Sequence, residues 1–160
     1  MSEHVTYRLA TGADTELLIH YRMLLLDAVA TTIHSKEEAD KIKHELAVYF
    51  PQAIAAGSYV SWLAFSGNTI ASVAGMVIYD RPCSYNCPSG RVGYILNMYT
   101  NPEYRRKGLC RALLEKLHET AKEQNISVLS LHASPDGEPV YRKYGFEEPF
   151  SPVLEMRLPT

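Results

Sequence analysis

Residues 91–131 constrain this chain more than any other stretch. They read as an apolar strand, a basic glycine-containing turn, an amphipathic helix and a second short strand. Arg91 to Thr100 is apolar on both faces over Tyr94-Ile95-Leu96-Asn97-Met98-Tyr99, as a central strand should be. From Leu109, Leu113 and Leu117 follow at four-residue spacing, flanked by Ala112, Leu114 and Ala121, while Glu115, Lys116, Glu119, Lys122 and Glu123 are polar. The helix therefore buries one face. With Ile126 to Leu131 as the next strand, the unit is a strand–helix–strand crossover, which predicts two parallel strands.

The turn inside this unit has unusual electrostatics. Four of the seven residues from Arg105 to Arg111 are cationic, namely Arg105, Arg106, Lys107 and Arg111. A helix N-terminus already carries positive partial charge, so cations gathered there call for an anion. The first-turn N–H groups have no partners within the helix, and Gly108 removes a side chain where an anion would approach the main chain. A phosphate-binding turn is the expectation. Neither G-x-x-x-x-G-K-[ST] nor G-x-G-x-x-G occurs, which disfavours a nucleoside triphosphatase or a dinucleotide-dependent dehydrogenase.

The other elements fall around this unit. Val5 to Leu9 reads as a strand, and Thr11-Gly12-Ala13-Asp14 has capping-box spacing before a helix to about Ala30. Ser35-Lys36-Glu37-Glu38 repeats that spacing before a helix through Tyr49, which Pro51 is expected to interrupt or restart ahead of Gly57. Two strands, Tyr59 to Phe65 and Thr69 to Tyr79, form a hairpin across Ser66-Gly67-Asn68. Residues 80–90 form a connecting loop. A short helix covers Pro139 to Tyr144 with Gly145 at its end, and Pro152 to Leu158 supplies a closing strand.

With 160 residues the chain suits one domain over 5–160, long enough to bury about two thirds of its unfolded surface. A net charge of −2 argues against a nucleic-acid partner, and no apolar run approaches the roughly 20 residues of a membrane helix. The first residues lack the apolar stretch of a signal peptide, and the odd set Cys83, Cys87 and Cys110 fits reduced thiols, so a cytoplasmic location is expected. Cys83 and Cys87 lack a second Cys/His pair, so no metal is expected.

Arg105-Arg106-Lys107-Gly108-Leu109-Cys110 resembles the acetyl-coenzyme A signature [QR]-x-x-G-x-[GA] of the GNAT superfamily of N-acetyltransferases. Cys110 departs from it, standing where Gly or Ala is usual. Asn97 to Tyr104 is similar to the family's strand-to-loop segment, and Val140-Tyr141-Arg142-Lys143-Tyr144-Gly145-Phe146 to its Y-x-x-x-G-F motif. The resemblance implies an α/β fold, a central mixed and largely antiparallel sheet of six to seven strands flanked by about four helices. It implies acetyl-coenzyme A as cosubstrate, with Arg105, Arg106, Lys107, Gly108, Leu109, Cys110 and Arg111 around its phosphates and backbone groups of Met98, Tyr99 and Thr100 along its pantetheine arm. It further implies that the preceding strand splays from its parallel neighbour at a bulge, leaving a cleft for that arm.

The activity implied is direct transfer of an acetyl group to a primary amine of a small molecule or peptide in a ternary complex. A backbone N–H near Met98 or Tyr99 would polarise the thioester carbonyl, and Tyr141 would act as the general acid for the leaving thiolate. Strand 91–100 contains no Asp or Glu, so the general base is unassigned, with His132 one candidate and a water chain to a distant carboxylate another. Cys110 at a helix start suggests a covalent acyl-enzyme, against which stands the family's direct transfer. A non-catalytic acyl-coenzyme A sensor on the same fold is the alternative. A homodimer is left open, and the acceptor is not identified by the sequence.

Overall fold

The computed structural model describes residues 4–159. In chain order the elements are β1 (Val5–Leu9), α1 (Thr15–Val29), α2 (Lys36–Ala55), β2 (Tyr59–Ser66), β3 (Thr69–Asp80), β4 (Arg91–Thr100), α3 (Leu109–Glu123), β5 (Val128–Leu131) and α4 (Glu138–Tyr144). Short 3-10 turns precede α1 and α3 at Gly12–Asp14 and Pro102–Tyr104. The five strands lie in sequence order across one sheet, antiparallel except for the parallel pair β4 and β5. The strand–helix–strand reading of 91–131 and the hairpin across residues 66–68 are both observed.

Each sheet face carries its own core. Leu18, Ile19 and Tyr21 of α1 and Phe50 and Ala53 of α2 cover the first face, against Tyr59, Leu63, Ile70 and Val73. Leu113, Leu114, Leu117 and Ala121 of α3, with Tyr141 of α4, cover the second, against Ala64, Ala74, Met76, Ile78 and Ile95. Strand period decides which residue goes where: Met76 and Ile95 are cross-strand partners on the second face, and the next pair, Val77 and Tyr94, is turned to the first. Gly93 is required where the sheet meets this second core, since a Cβ there would lie 2.6 Å from the Met76 sulfur and 2.8 Å from Leu129 Cδ2.

Two sequence expectations are corrected. Helix α2 passes through Pro51 to Ala55 instead of breaking. A proline inside a helix removes one hydrogen bond, but Phe50 and Ala53 on either side are buried in the first core, and that packing holds the turn. The sheet has five strands, not six to seven, and residues 152–158 form no strand. Their apolar positions Val153, Leu154, Met156 and Leu158 are exposed. Alternating apolar residues make a strand only when a neighbour completes the ladder, and β5, four residues long, pairs with β4 alone. Among the described residues no helix is long and apolar enough to cross a membrane.

Candidate active site

The site is built where β4 parts from β5. Their parallel register runs Val92↔Val128, Gly93↔Leu129, Tyr94↔Ser130 and Ile95↔Leu131, and then stops. Residues Leu96 to Thr100 continue β4 with no β5 partner. On the other side β4 stays with β3, but Leu96 opposes Gly75 and Tyr99 opposes Val73, so Asn97 and Met98 together stand opposite Ala74. That is a bulge, two residues against one. Asn97 takes φ 56, a left-handed conformation that Asn tolerates better than most residues. The splay and the bulge expected from the resemblance are therefore both present.

Buried polar contacts hold the bulge. Asn97, 5% exposed, donates from Nδ2 to the Tyr59 hydroxyl at 2.9 Å and accepts from Arg22 Nη1 at 2.8 Å. Burial pushes the Tyr59 phenol up to about 12. Gly75 makes room for this chain, because a Cβ there would lie 2.2 Å from the Tyr59 hydroxyl oxygen. Beyond the bulge, the Ser72 hydroxyl donates to the Tyr99 carbonyl at 2.9 Å, and the Asn101 N–H to the Ala71 carbonyl at 3.0 Å. The far end of β4 is thus fastened to β3, which keeps it from following β5.

Of the three strand residues expected along a pantetheine arm, the structure distinguishes one. Tyr99's carbonyl accepts from Ser72, and Thr100's carbonyl accepts from Arg105 Nε at 3.0 Å. Met98 lies outside both strand registers, in the bulge itself, and its side chain packs against the second core.

The basic turn follows directly. Arg106 and Gly108 both have positive φ, 61 and 82, and Gly108 is the residue that caps the start of α3. A Cβ at Gly108 would meet no protein atom within 4 Å, so the left-handed backbone and the open ground above it are what a glycine serves here. Arg105 lies over the Tyr99 ring and Lys107 over the Tyr104 ring, with the charges 5.8 and 5.1 Å from the ring centroids. Arg111 is turned along the helix to Glu115 at 3.1 Å. Arg106 is exposed and makes no side-chain hydrogen bond or ion pair among the described residues. The cations do not converge equally: Arg106 and the first-turn amides of α3 are open, whereas Arg105 and Arg111 already have partners.

Cys110 packs into the second core, and burial pushes its thiol up, not down as the helix start alone would. The thiolate that a covalent mechanism needs is disfavoured. Tyr141 lies in the same core, 9% exposed, edge-on to Phe146 with centroids 6.1 Å apart. Burial, with a smaller contribution from Cys110, pushes its phenol up to about 12, so the proton stays on at neutral pH. Cys83 is exposed and Cys87 buried, both free, and among the described residues no group of three or more His, Cys, Asp or Glu could hold a metal.

Tyr94 and His132 were separated in the sequence and are joined in the structure, the phenol and Nδ1 being 2.5 Å apart. The signal that could have found the pair is strand parity. Tyr94 pairs with Ser130, so His132, two residues on, faces the same side.

Residues 29–157 match the family described as acetyltransferase (GNAT) domain. The chain belongs to that family. Among solved structures, a predicted acetyltransferase from Clostridium acetobutylicum, solved with acetyl-CoA, is 36% identical over 96% of each chain, with a TM-score of 0.83. A GCN5-related N-acetyltransferase from Ralstonia eutropha is 25% identical, covers 98% of this chain and 99% of its own, and has a TM-score of 0.82. An aminoglycoside N-acetyltransferase in complex with CoA shares the fold at 15% identity, with 98% and 97% covered and a TM-score of 0.75. No curated protein sequence matches the chain. Within this GNAT domain the bulge, the splay and the basic turn occupy one continuous stretch, 96–111.

Proposed function

We propose that this GNAT domain is an N-acetyltransferase that transfers the acetyl group of acetyl-coenzyme A directly to a primary amine in a ternary complex. The observation that carries this reading is the opening between β4 and β5, which begins immediately after Ile95↔Leu131 and runs toward the basic turn. A pantetheine arm laid in that opening would meet the bulged backbone at Met98, and its pyrophosphate would reach Arg106, Gly108 and the first amides of α3. A relative 36% identical was solved with acetyl-CoA, which supports the same donor here.

Chemistry then follows from which groups border the opening. An amine attacks the thioester carbonyl carbon, the N–C bond forms, and the C–S bond breaks. The N–H at Met98, a bulge residue outside both strand registers, would stabilise the developing oxyanion. Tyr141, protonated and close to Cys110 in the second core, supplies a hydrogen bond or a proton to the departing thiolate. The raised Cys110 thiol supports direct transfer over an acyl-enzyme.

Replacing Arg106 or Gly108 by Glu places a carboxylate against the phosphates, and at Gly108 also forces a side chain into φ 82. Either change should raise the apparent acetyl-coenzyme A constant at least tenfold, on the scale of one lost charge-assisted hydrogen bond of about 1.5–3 kcal/mol. Titration with acetyl-coenzyme A measures it. Unchanged affinity in both variants would remove the cofactor assignment. Steady release of free coenzyme A with an amine present separates the enzyme from a sensor, which would bind tightly without turnover.

A further inference from the structure

We infer that Tyr94, His132 and Glu155 form a proton relay on the acceptor side of the β4–β5 opening and take up the proton that the attacking amine loses. The inference deepens the transferase reading and rests on it. Its basis is a division of labour between the two sheet faces. Tyr141 lies on the second face, in the core of α3 and α4. Tyr94 pairs with Val77, which packs into the first core, so the phenol and its partner His132 lie on the opposite face. A thioester threaded between β4 and β5 would therefore have a proton donor on one side and a proton acceptor on the other. Direct transfer needs a proton acceptor at the attacking nitrogen and a proton donor at the departing sulfur, two different atoms of the tetrahedral intermediate, and the two faces would supply one each.

The contacts define the order of the relay. The Tyr94 hydroxyl and His132 Nδ1 are 2.5 Å apart, and His132 Nε2 and Glu155 Oε1 are 4.0 Å apart, both residues lining, with Val153, a cavity of ≈ 450 Å³. A phenol has a proton to donate, and a carboxylate stabilises an N–H turned toward it, so neutral His132 is assigned with Nδ1 accepting and Nε2 protonated. The alkylammonium proton then passes to the Tyr94 oxygen as the Tyr94 proton passes to Nδ1. The amine is left neutral with its lone pair free, the phenol is regenerated, and the positive charge moves to an imidazolium facing Glu155.

The charged and titratable groups around the pair come from three other elements. Arg22 of α1 faces Tyr94 and lowers its phenol pKa against the rise caused by burial; Glu155 of the C-terminal segment raises it; Tyr49 of α2 adjoins Arg22. A cation near Tyr94 keeps an approaching ammonium from resting there and favours the neutral amine.

The test is a pH profile of kcat/KM with acetyl-coenzyme A and a panel of a polyamine, an aminoglycoside, glucosamine and a peptide with a free N-terminus, read as thiol release. Tyr94→Phe and His132→Gln should each lower kcat/KM about 100-fold at neutral pH. Both should move the acid limb up toward the acceptor's own pKa, so that the loss shrinks as pH rises, with the acetyl-coenzyme A constant unchanged. Glu155→Gln should act in the same direction by less than tenfold. A loss equal at every pH marks a structural role and overturns the relay alone, as does full activity in both variants. No turnover of any acceptor by the unmodified chain overturns the transferase reading, and the relay with it.

Discussion

The two faces of the sheet are built from different materials. Beneath α3 and α4 the second core is mostly apolar, with Leu113, Leu114 and Leu117 at 0–1% exposure, and its buried polar groups are the Tyr141 phenol and the Trp62 indole N–H donating to the Thr120 hydroxyl at 3.0 Å. Beneath α1 and α2 the first core contains a hydrogen-bonded chain, Arg22 to Asn97 to Tyr59, at the place where β4 bulges. A dry face stabilises without directionality, whereas a polar chain with one satisfying geometry fixes where the strand departs from regularity. The second face holds the sheet together; the first determines the shape of its opening.

Truncating each face should separate these tasks, with the larger effect on the dry one. Leu117→Ala removes a fully buried side chain from the second core and should cost about 2–5 kcal/mol in denaturant unfolding, with little change in the cofactor constant of the protein that remains folded. Asn97→Ala should cost about 1–3 kcal/mol, from the lost hydrogen bonds to Tyr59 and Arg22. Unlike Leu117→Ala, it should also weaken acetyl-coenzyme A binding, because the bulge loses its anchor. Asn97→Gly sharpens the contrast, since it keeps the φ 56 backbone and removes only the hydrogen bonds. Equal cofactor losses in the Leu117 and Asn97 variants would dissolve the distinction.

Tyr141→Phe probes a polar member of the dry face. The ring and its contact with Phe146 are kept, so folding should be unaffected, while turnover should fall about tenfold with an unchanged cofactor constant. Rapid-quench measurement of the acetyl-transfer step checks it. A fall in affinity matching the fall in turnover would place the hydroxyl in binding instead.

What the sequence disclosed and what it withheld divide along physical lines. The crossover unit 91–131 was legible because a strand apolar on both faces gives way to a helix with a four-residue apolar repeat, and the turn between them concentrates charge. The parallel pairing and the two capping boxes followed from local chemistry. Pro51 was misread because its local preference is outweighed by Phe50 and Ala53, whose burial depends on a sheet far along the chain. The closing strand was misread for the converse reason: the alternation at 153–158 is genuine, but a strand needs a neighbour, and no local signal specifies one. At the site, the phosphate turn was visible as sequence. The chain Arg22–Asn97–Tyr59 and the pair Tyr94–His132 were not, since each joins residues 38 or more positions apart.

The smallest effect belongs to the rim of the first face, where Arg8 and Asp14 tie β1 to the start of α1. Asp14 accepts from Arg8 Nη2 and Nη1 at 2.8 and 2.9 Å and from the Thr11 amide at 2.8 Å. These bonds, Arg8's first, hold its carboxyl at about 2, below the ordinary 3.8. The folded state therefore binds its proton less readily than the unfolded chain, so the stabilisation is complete above about pH 4 and is lost as pH falls toward 2. Arg8's side chain is 48% exposed, and solvent screening keeps the pair to about 0.5–1 kcal/mol. Asp14→Asn should lower stability by that amount at pH 7, and the gap between variant and parent should close as the pH is lowered through 4 toward 2. The buried chain at Asn97 contains no carboxylate, so the deficit of Asn97→Ala should not close over the same range. Urea midpoints of both variants at pH 7, 4 and 2.5 decide it: parallel behaviour would mean that the rim and the interior of the first face are one electrostatic unit, and divergence that the bulge is held by packing and by hydrogen bonds, Arg22 to Asn97 included, in which no group changes protonation over that range.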